Sequence, residues 1–240
     1  PPKLPRPNMD WGSAMYLHGL DVIARFSGGH CAYSGTAPQV YDPAADRWSI
    51  PFAPEFPVDH CCSDGGVPGD WSFKGRPWMP GHTWKATGVD KSGKRLVYLG
   101  RSYTWFFDPA KKAWERSEAK HPPRDVRKAT VCWTPMGATV LNSARSAKKA
   151  KLFLIEEATG EWKPLPVKDT LPHTSIDYLS TVYDSKRDRI LIIAPKQKGR
   201  PGSVAAYDMK TGEVKWLEPA GREKAVSRMR ESVYIPEHDM

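Results

Sequence analysis

The segment Trp105 to Trp114, WFFDPAKKAW, recurs along the chain and constrains the fold more than any other feature. Val40 to Trp48 reads VYDPAADRW, Leu154 to Trp162 reads LIEEATGEW, and Ala206 to Trp216 reads AYDMKTGEVKW. Each copy is an apolar run, an acidic turn, and a short polar span that ends in Trp. Asp followed by Pro suits a tight turn, because the carboxylate accepts hydrogen bonds from the backbone ahead and Pro presets the turn dihedral. The four Trp recur at roughly fifty residues, with a wider first interval. Four short strands in such a period are the signature of a propeller blade, a unit that buries its apolar faces only by stacking on its neighbours. In this register the acids and the Trp are structural: the acid makes the turn between third and fourth strands, and the Trp packs between sheets.

Whole units align as well. Ala86-Thr87-Gly88-Val89-Asp90 lies under Ser180-Thr181-Val182-Tyr183-Asp184, and Arg95-Leu96 lies under Arg189-Ile190. Ser232 to Met240 lies in turn under Thr181 to Arg189, so a fifth unit opens at the end of the sequence. The expected fold is all-β: four recognisable four-stranded blades plus the start of a fifth. The expected boundaries are a Pro-rich arm over 1–10, blades over 11–50, 81–120, 121–170 and 171–221, an insertion over 51–80, and the fifth blade from 222 to 240. With 23 Pro, 19 Gly and 10 Trp, the composition fits short strands and many turns better than long helices.

The strand before Gly28-Gly29, the Tyr41-Asp42-Pro43 turn and Trp48 together resemble the kelch repeat and the related central domain of galactose-oxidase-like proteins. The resemblance spans about residues 10 to 240 and is divergent: Gly100-Arg101, Asn142-Ser143 and Ala194-Pro195 stand where further diglycines belong. It implies a propeller whose ligands bind near the axis, on the face that carries the between-blade connections and the loops between second and third strands. Four blades and a fraction leave a ring to be closed. A missing segment of a six- or seven-bladed protein is the expected closure; the N-terminal arm or another chain are the alternatives.

The formal net charge is +9, which favours acidic partners. Cations recur in the segments expected on the ligand face. Arg76, Trp78, His82 and Trp84 precede the second blade, Arg124 and Arg127 the third, His173 and Tyr178 the fourth, and Arg228 the fifth; Arg101 lies between the second and third strands of the second blade. Arg offers a planar fork to carboxylate, sulfate or phosphate, and Trp and Tyr offer flat faces to sugar rings. These residues are the candidate ligand contacts. The alternative is an ordinary solvated loop surface.

Four cysteines are present, with no CxxC pair. Cys31 bonded to Cys61 or Cys62 would make one disulfide, in an oxidising compartment; a soft-metal site with His60, or free thiols, remain open. No apolar run approaches the length of a membrane span, and the first ten residues lack the apolar core of a signal peptide. Nucleic acid finds no recognised motif. The resemblance implies a copper alternative, but His82 and His173 are not equivalent positions in their units, and no cofactor is expected. The leading expectation is a noncatalytic binding or assembly module, secreted, periplasmic or on the cell surface, that holds an acidic polysaccharide or a protein partner on a basic face. A carbohydrate-active enzyme, a lyase, hydrolase or copper oxidase, using the same face is the alternative.

Overall fold

The computed structural model describes residues 14–26, 35–55, 71–78, 85–122, 129–142, 150–171, 179–194, 202–218 and 232–239. Blade 1 contains β1 (Ala14–Leu17), β2 (Val22–Arg25), β3 (Gln39–Asp42) and β4 (Arg47–Ser49). A two-stranded hairpin follows, β5 (Ser72–Phe73) and β6 (Arg76–Pro77). Blade 2 contains β7 (Thr87–Val89), β8 (Leu96–Leu99), β9 (Tyr103–Asp108) and β10 (Ala113–Lys120). Blade 3 contains β11 (Ala129–Thr134), β12 (Gly137–Asn142), β13 (Lys151–Ile155) and β14 (Trp162–Pro164). Blade 4 contains β15 (Ser180–Asp184), β16 (Arg189–Ala194), β17 (Ser203–Asp208) and β18 (Val214–Leu217). Each blade is an antiparallel meander with its strands in sequence order, and β1, β7, β11 and β15 contact one another in succession. Those first strands are the inner ones. The fold is all-β, a stack of β-propeller blades.

Side-chain burial records the stacking. Successive residues of a strand point to opposite faces. Leu96, Val97, Tyr98 and Leu99 of β8 are all 0% exposed, so blade 2 is covered on both faces. In β16, Ile190, Ile192 and Ala194 are buried while Leu191 and Ile193 are half-buried, so blade 4 is tightly covered on one face. Buried residues of blades 1, 2 and 3 form one apolar cluster, and those of blades 3 and 4 form another.

The acidic turn is a shared local structure. Asp108 Oδ1 accepts the N–H groups of Ala110 and Lys111 at 2.9 and 3.1 Å, and Asp208 Oδ1 those of Lys210 and Thr211 at 2.9 and 2.8 Å. The fourth residue after the acid is left-handed in every copy: Asp46, Lys112, Gly160 and Gly212 have φ of 45°, 54°, 72° and 72°. Two of the terminal Trp then pack as the repeat predicts. Trp114 donates to the Thr36 carbonyl of blade 1 at 2.9 Å, and Trp162 donates to the Thr104 hydroxyl of blade 2 at 3.0 Å.

Trp216 corrects the sequence alignment. Trp48 pairs with Tyr41, Trp114 with Phe107, and Trp162 with Ile155, but Tyr207 pairs with Val214. The fourth blade therefore carries Val214 at the inter-blade position. Trp216 lies two residues further along the strand and is 46% exposed.

A second turn recurs at the end of the inner strands. The Tyr hydroxyl donates to an Asp five residues on in Tyr16–Asp21 (2.7 Å), Tyr183–Asp188 (2.9 Å) and Tyr234–Asp239 (2.9 Å). The Tyr234 turn bears out the alignment of the last residues with the start of blade 4. Arg187 grips Asp239 with both terminal nitrogens at 2.6 Å, and Lys186 adds a contact at 3.0 Å, which ties this turn to blade 4.

Candidate functional site

The strand directions sort the connections onto two ends of the stack. The turns after the first and third strands of each blade occupy one end. The connections after the second and fourth strands leave from the other. The acidic turns and the Tyr–Asp turns therefore share the end remote from the between-blade connections.

Hydrogen bonds harden the acidic-turn end. The Asp90 carboxylate, 1% exposed, accepts the backbone N–H of Lys94 and of Arg95, the Ser92 hydroxyl, and Arg95 Nε, at 2.8 to 2.9 Å. Burial by itself raises its pKa, but these donors and the Arg95 charge outweigh burial and hold the carboxyl below its ordinary value. Arg95 continues to Glu157 of blade 3 at 3.0 Å and lies 4.8 Å from the Phe106 ring. Asp184 and Arg189 repeat the pair in blade 4 at 2.8 Å. Arg95 and Arg189 at this end are thus engaged with buried carboxylates.

At the opposite end, Arg101 sits in the β8–β9 connection. Its backbone is fixed on both sides: Gly100 donates to the Tyr103 carbonyl at 2.9 Å, and His121 N–H donates to the Ser102 carbonyl at 3.0 Å. His121 is buried, stacks on Trp162 at 4.5 Å, and turns both ring nitrogens to carbonyl oxygens, of Pro122 at 2.9 Å and Gly100 at 3.2 Å. A neutral imidazole donates to one of these; the imidazolium donates to both. The Arg101 guanidinium reaches within 6.0 Å of the Trp71 ring.

Arg76 lies on β6. Its guanidinium covers the Phe52 ring at 3.9 Å and meets Glu55 at 3.8 Å. Trp78 departs from the expectation of a ligand contact. It is 1% exposed, its backbone N–H donates to the Trp71 carbonyl at 2.8 Å, and both Trp belong to the apolar cluster of blades 1, 2 and 3. The described part of the insertion, a hairpin against β10, thus anchors itself by burying Trp71 and Trp78. His82, Trp84, Arg124, Arg127, His173, Tyr178 and Arg228 lie outside the described residues, as do Cys31, Cys61 and Cys62. Cys132 is a free, buried thiol whose pKa burial pushes up to about 12.

A feature that sequence reasoning missed lies on the axis. A cavity of about 580 Å³ is bounded by β1, β7, β11, β15 and the 232–236 segment. Hydroxyls line it where the inner strands begin: Thr87, Thr130, Ser180 and Thr181. The Thr130 and Thr181 hydroxyls bond each other at 2.8 Å, which links blades 3 and 4. Lys85 reaches from blade 2 across to the Leu179 carbonyl of blade 4 at 2.7 Å. Among the described lining residues Lys85 is the one charged side chain. Further along the axis the wall turns apolar and aromatic, with Met15, Trp133, Val182 and Tyr183. The Tyr183 hydroxyl is pushed up to about 12, first by burial and then by its bond to Asp188. The inner strands come this close because Gly88 has no side chain: a Cβ there would stand 2.2 Å from Val131 Cγ1. The signal was present in the aligned inner strands, as Thr87 over Thr181.

No protein-family model and no curated protein matches the chain. Among solved structures, it is similar to TolB from Acinetobacter baumannii, at 15% identity and a TM-score of 0.49, over 86% of this chain and 43% of that one. It is also similar to a chain of the mitotic checkpoint complex, at 12% identity and a TM-score of 0.47, over 89% of this chain and 51% of that one. The chain spans about half the length of these solved chains.

Proposed function

We propose that this chain is a noncatalytic binding module that holds a polyanionic partner, an acidic polysaccharide or an acidic protein surface, on the end of the propeller that carries the between-blade connections. One observation supports the reading: the strands that flank the cation-rich segments of the sequence leave from and return to the same end of the stack. Arg101 occupies the β8–β9 connection there. Arg145, Lys148 and Lys149 lie in the segment from β12 to β13, and Lys196, Lys198 and Arg200 in that from β16 to β17. At the other end, buried carboxylates hold Arg95 and Arg189 in the pairs Asp90–Arg95 and Asp184–Arg189. The whole chain carries a formal net charge of +9, which favours an acidic partner. The diglycine at Gly28-Gly29 and the acid-to-Trp spacing also support placing these blades with the kelch and galactose-oxidase-like group.

The test is a titration with heparin and with polyglutamate at low and high salt. Exposed charge pairing weakens as ionic strength rises, so affinity is expected to fall with salt and to fall again in Arg101→Glu with Lys148→Glu and Lys149→Glu. Absence of binding to either polymer at low salt, or affinity indifferent to salt, overturns the reading.

A further inference from the structure

We propose that Arg116 and Lys120, set on the Tyr103 ring at the outer edge of blade 2, form a binding site for an acidic polysaccharide. The proposal rests on the reading that this end of the propeller meets a polyanion, and it gives that polyanion a class and a place. Strand register builds the site. β9 begins at Tyr103 and β10 ends at Lys120, and the two residues pair across the strands, so both stand at the end that carries the connections. Arg116 pairs with Trp105, so four steps along β10 match two along β9. In a regular strand those four steps span roughly 13 Å. The irregularity lets both side chains reach one ring: the Arg116 guanidinium lies 4.3 Å from the Tyr103 ring centre and the Lys120 ammonium 5.7 Å. Both cations are exposed on a half-buried ring. The ion pairs of β10 are made by Glu115, to Lys111 at 3.0 Å and Arg95 at 3.5 Å, and none among the described residues involves Arg116 or Lys120. Arg101, two residues before Tyr103, lies beside them in the chain, and the β5–β6 hairpin with Arg76 packs on β10. Of the nearby acids, Glu55 is held by Lys74 and Arg76, which leaves Glu118 on β10.

The chemistry follows from these groups. A ring beneath a guanidinium attracts it and limits its orientations, so less freedom is lost when an anion arrives. The fork then offers paired donors to a sulfate or carboxylate, and the ammonium offers a second charge beside it. Two cations on one ring suit a chain whose anionic groups are closely spaced. Single-stranded nucleic acid is held by stacking its bases on open aromatic faces, and here cations lie over the Tyr103 ring. A protein interface has an apolar centre, and the exposed large hydrophobics among the described residues, Tyr16, Ile50, Met136, Trp216, Val233 and Ile235, all lie elsewhere. A polysaccharide, bound through its anionic groups and hydroxyls, needs neither.

The test titrates heparin, polygalacturonate, polyglutamate and oligo(dT) into the full chain by calorimetry at low salt. Heparin and polygalacturonate separate sulfate from carboxylate as the source of the anion, and the better of the two is expected to bind more tightly than polyglutamate and oligo(dT). Arg116→Glu with Lys120→Glu is expected to weaken that binding about tenfold or more and to flatten its salt dependence. The same change of charge at the acidic turns, Lys112→Glu with Lys210→Glu, is expected to leave affinity within about twofold. Tyr103→Leu keeps both cations and is expected to weaken binding about threefold with the salt dependence unchanged. Arg116→Gln with Lys120→Gln repeats the comparison without charge reversal, and urea unfolding checks that each variant is folded. Native affinity in both Arg116 and Lys120 double variants, or an equal loss in the acidic-turn variant, overturns this site while the polyanion reading stands. Unchanged affinity in Tyr103→Leu overturns the part given to the ring. Tighter binding of polyglutamate or oligo(dT) overturns the choice of polysaccharide, and no binding of any polymer overturns both the site and the reading beneath it.

Discussion

Replacing Asp90 by Asn tests how the buried carboxylate clasps hold the propeller. The change keeps shape and removes charge. Asn Oδ1 still accepts the backbone N–H groups of Lys94 and Arg95, both 2.9 Å from the native oxygen. The amide nitrogen then faces Arg95 Nε, which stood 2.9 Å from a carboxylate oxygen and cannot accept. The Ser92 hydroxyl can rotate to accept, and Arg95 keeps Glu157 at 3.0 Å and Glu115 at 3.5 Å. One charge-assisted bond is lost and two donors oppose each other, so the expected cost is about 2–4 kcal/mol. The assay is urea unfolding followed by tryptophan fluorescence, with the midpoint lowered and the slope unchanged. The pH dependence has a definite sign. The Asp90 carboxyl is held below its ordinary value, so its contribution is full above the unfolded carboxylate value and is lost as pH falls through the folded one. The gap between native and variant is therefore widest at neutral pH and narrows below about pH 4. A gap under about 0.5 kcal/mol at neutral pH, smaller than one ordinary hydrogen bond, would refute the clasp, as would a gap that persists unchanged in acid.

Further outcomes follow from the same structure. Gly160→Ala places a Cβ 2.0 Å from Ser117 Cβ at a φ of 72°, and is expected to lower the unfolding midpoint strongly. Lys112→Gly, at a φ of 54°, relieves a left-handed side chain and is expected to stabilise by up to about 1 kcal/mol in the same assay. Trp162→Phe loses the bond to the Thr104 hydroxyl and part of the stack on His121, costing about 1–2 kcal/mol in urea unfolding. Val214→Ala is expected to destabilise more than Trp216→Ala, because Val214 packs on the core of blades 3 and 4 while Trp216 is exposed; the reverse order would undo the corrected alignment. Cys132 is expected to resist iodoacetamide in the native state and to react on unfolding, as read by peptide mass, because burial keeps its thiol protonated.

The blades were legible because the acidic turn is a local structure. Asp42, Asp108 and Asp208 make their own hydrogen bonds to the following residues, so the motif survives in sequence whatever it packs on. The inter-blade residue is set by distance from that acid, not by identity. Aligning on Trp therefore selected Trp216, and aligning on the acid would have found Val214. The Tyr–Asp turns were equally local but escaped notice, although Tyr183 and Tyr234 had been set in register. Trp78 misled because an aromatic in a long loop suits a ligand face and a buried anchor alike, and only its packing against Trp71 and the blades decides. The cavity was hidden for a different reason. Thr87, Thr130, Ser180 and Lys85 come from three blades, and nothing within one repeat shows that their side chains face a common axis.

The central claim is that the two ends of the propeller differ in kind, one carrying buried carboxylate–arginine pairs and the other proposed to meet a polyanion. Hydrogen exchange with and without heparin tests it most directly. The account predicts slower exchange at 100–102 and in the connections 143–149 and 195–201, with the turns 43–46, 109–112, 157–160 and 209–212 unchanged. Protection at those acidic turns, with the connections unaffected, would contradict it.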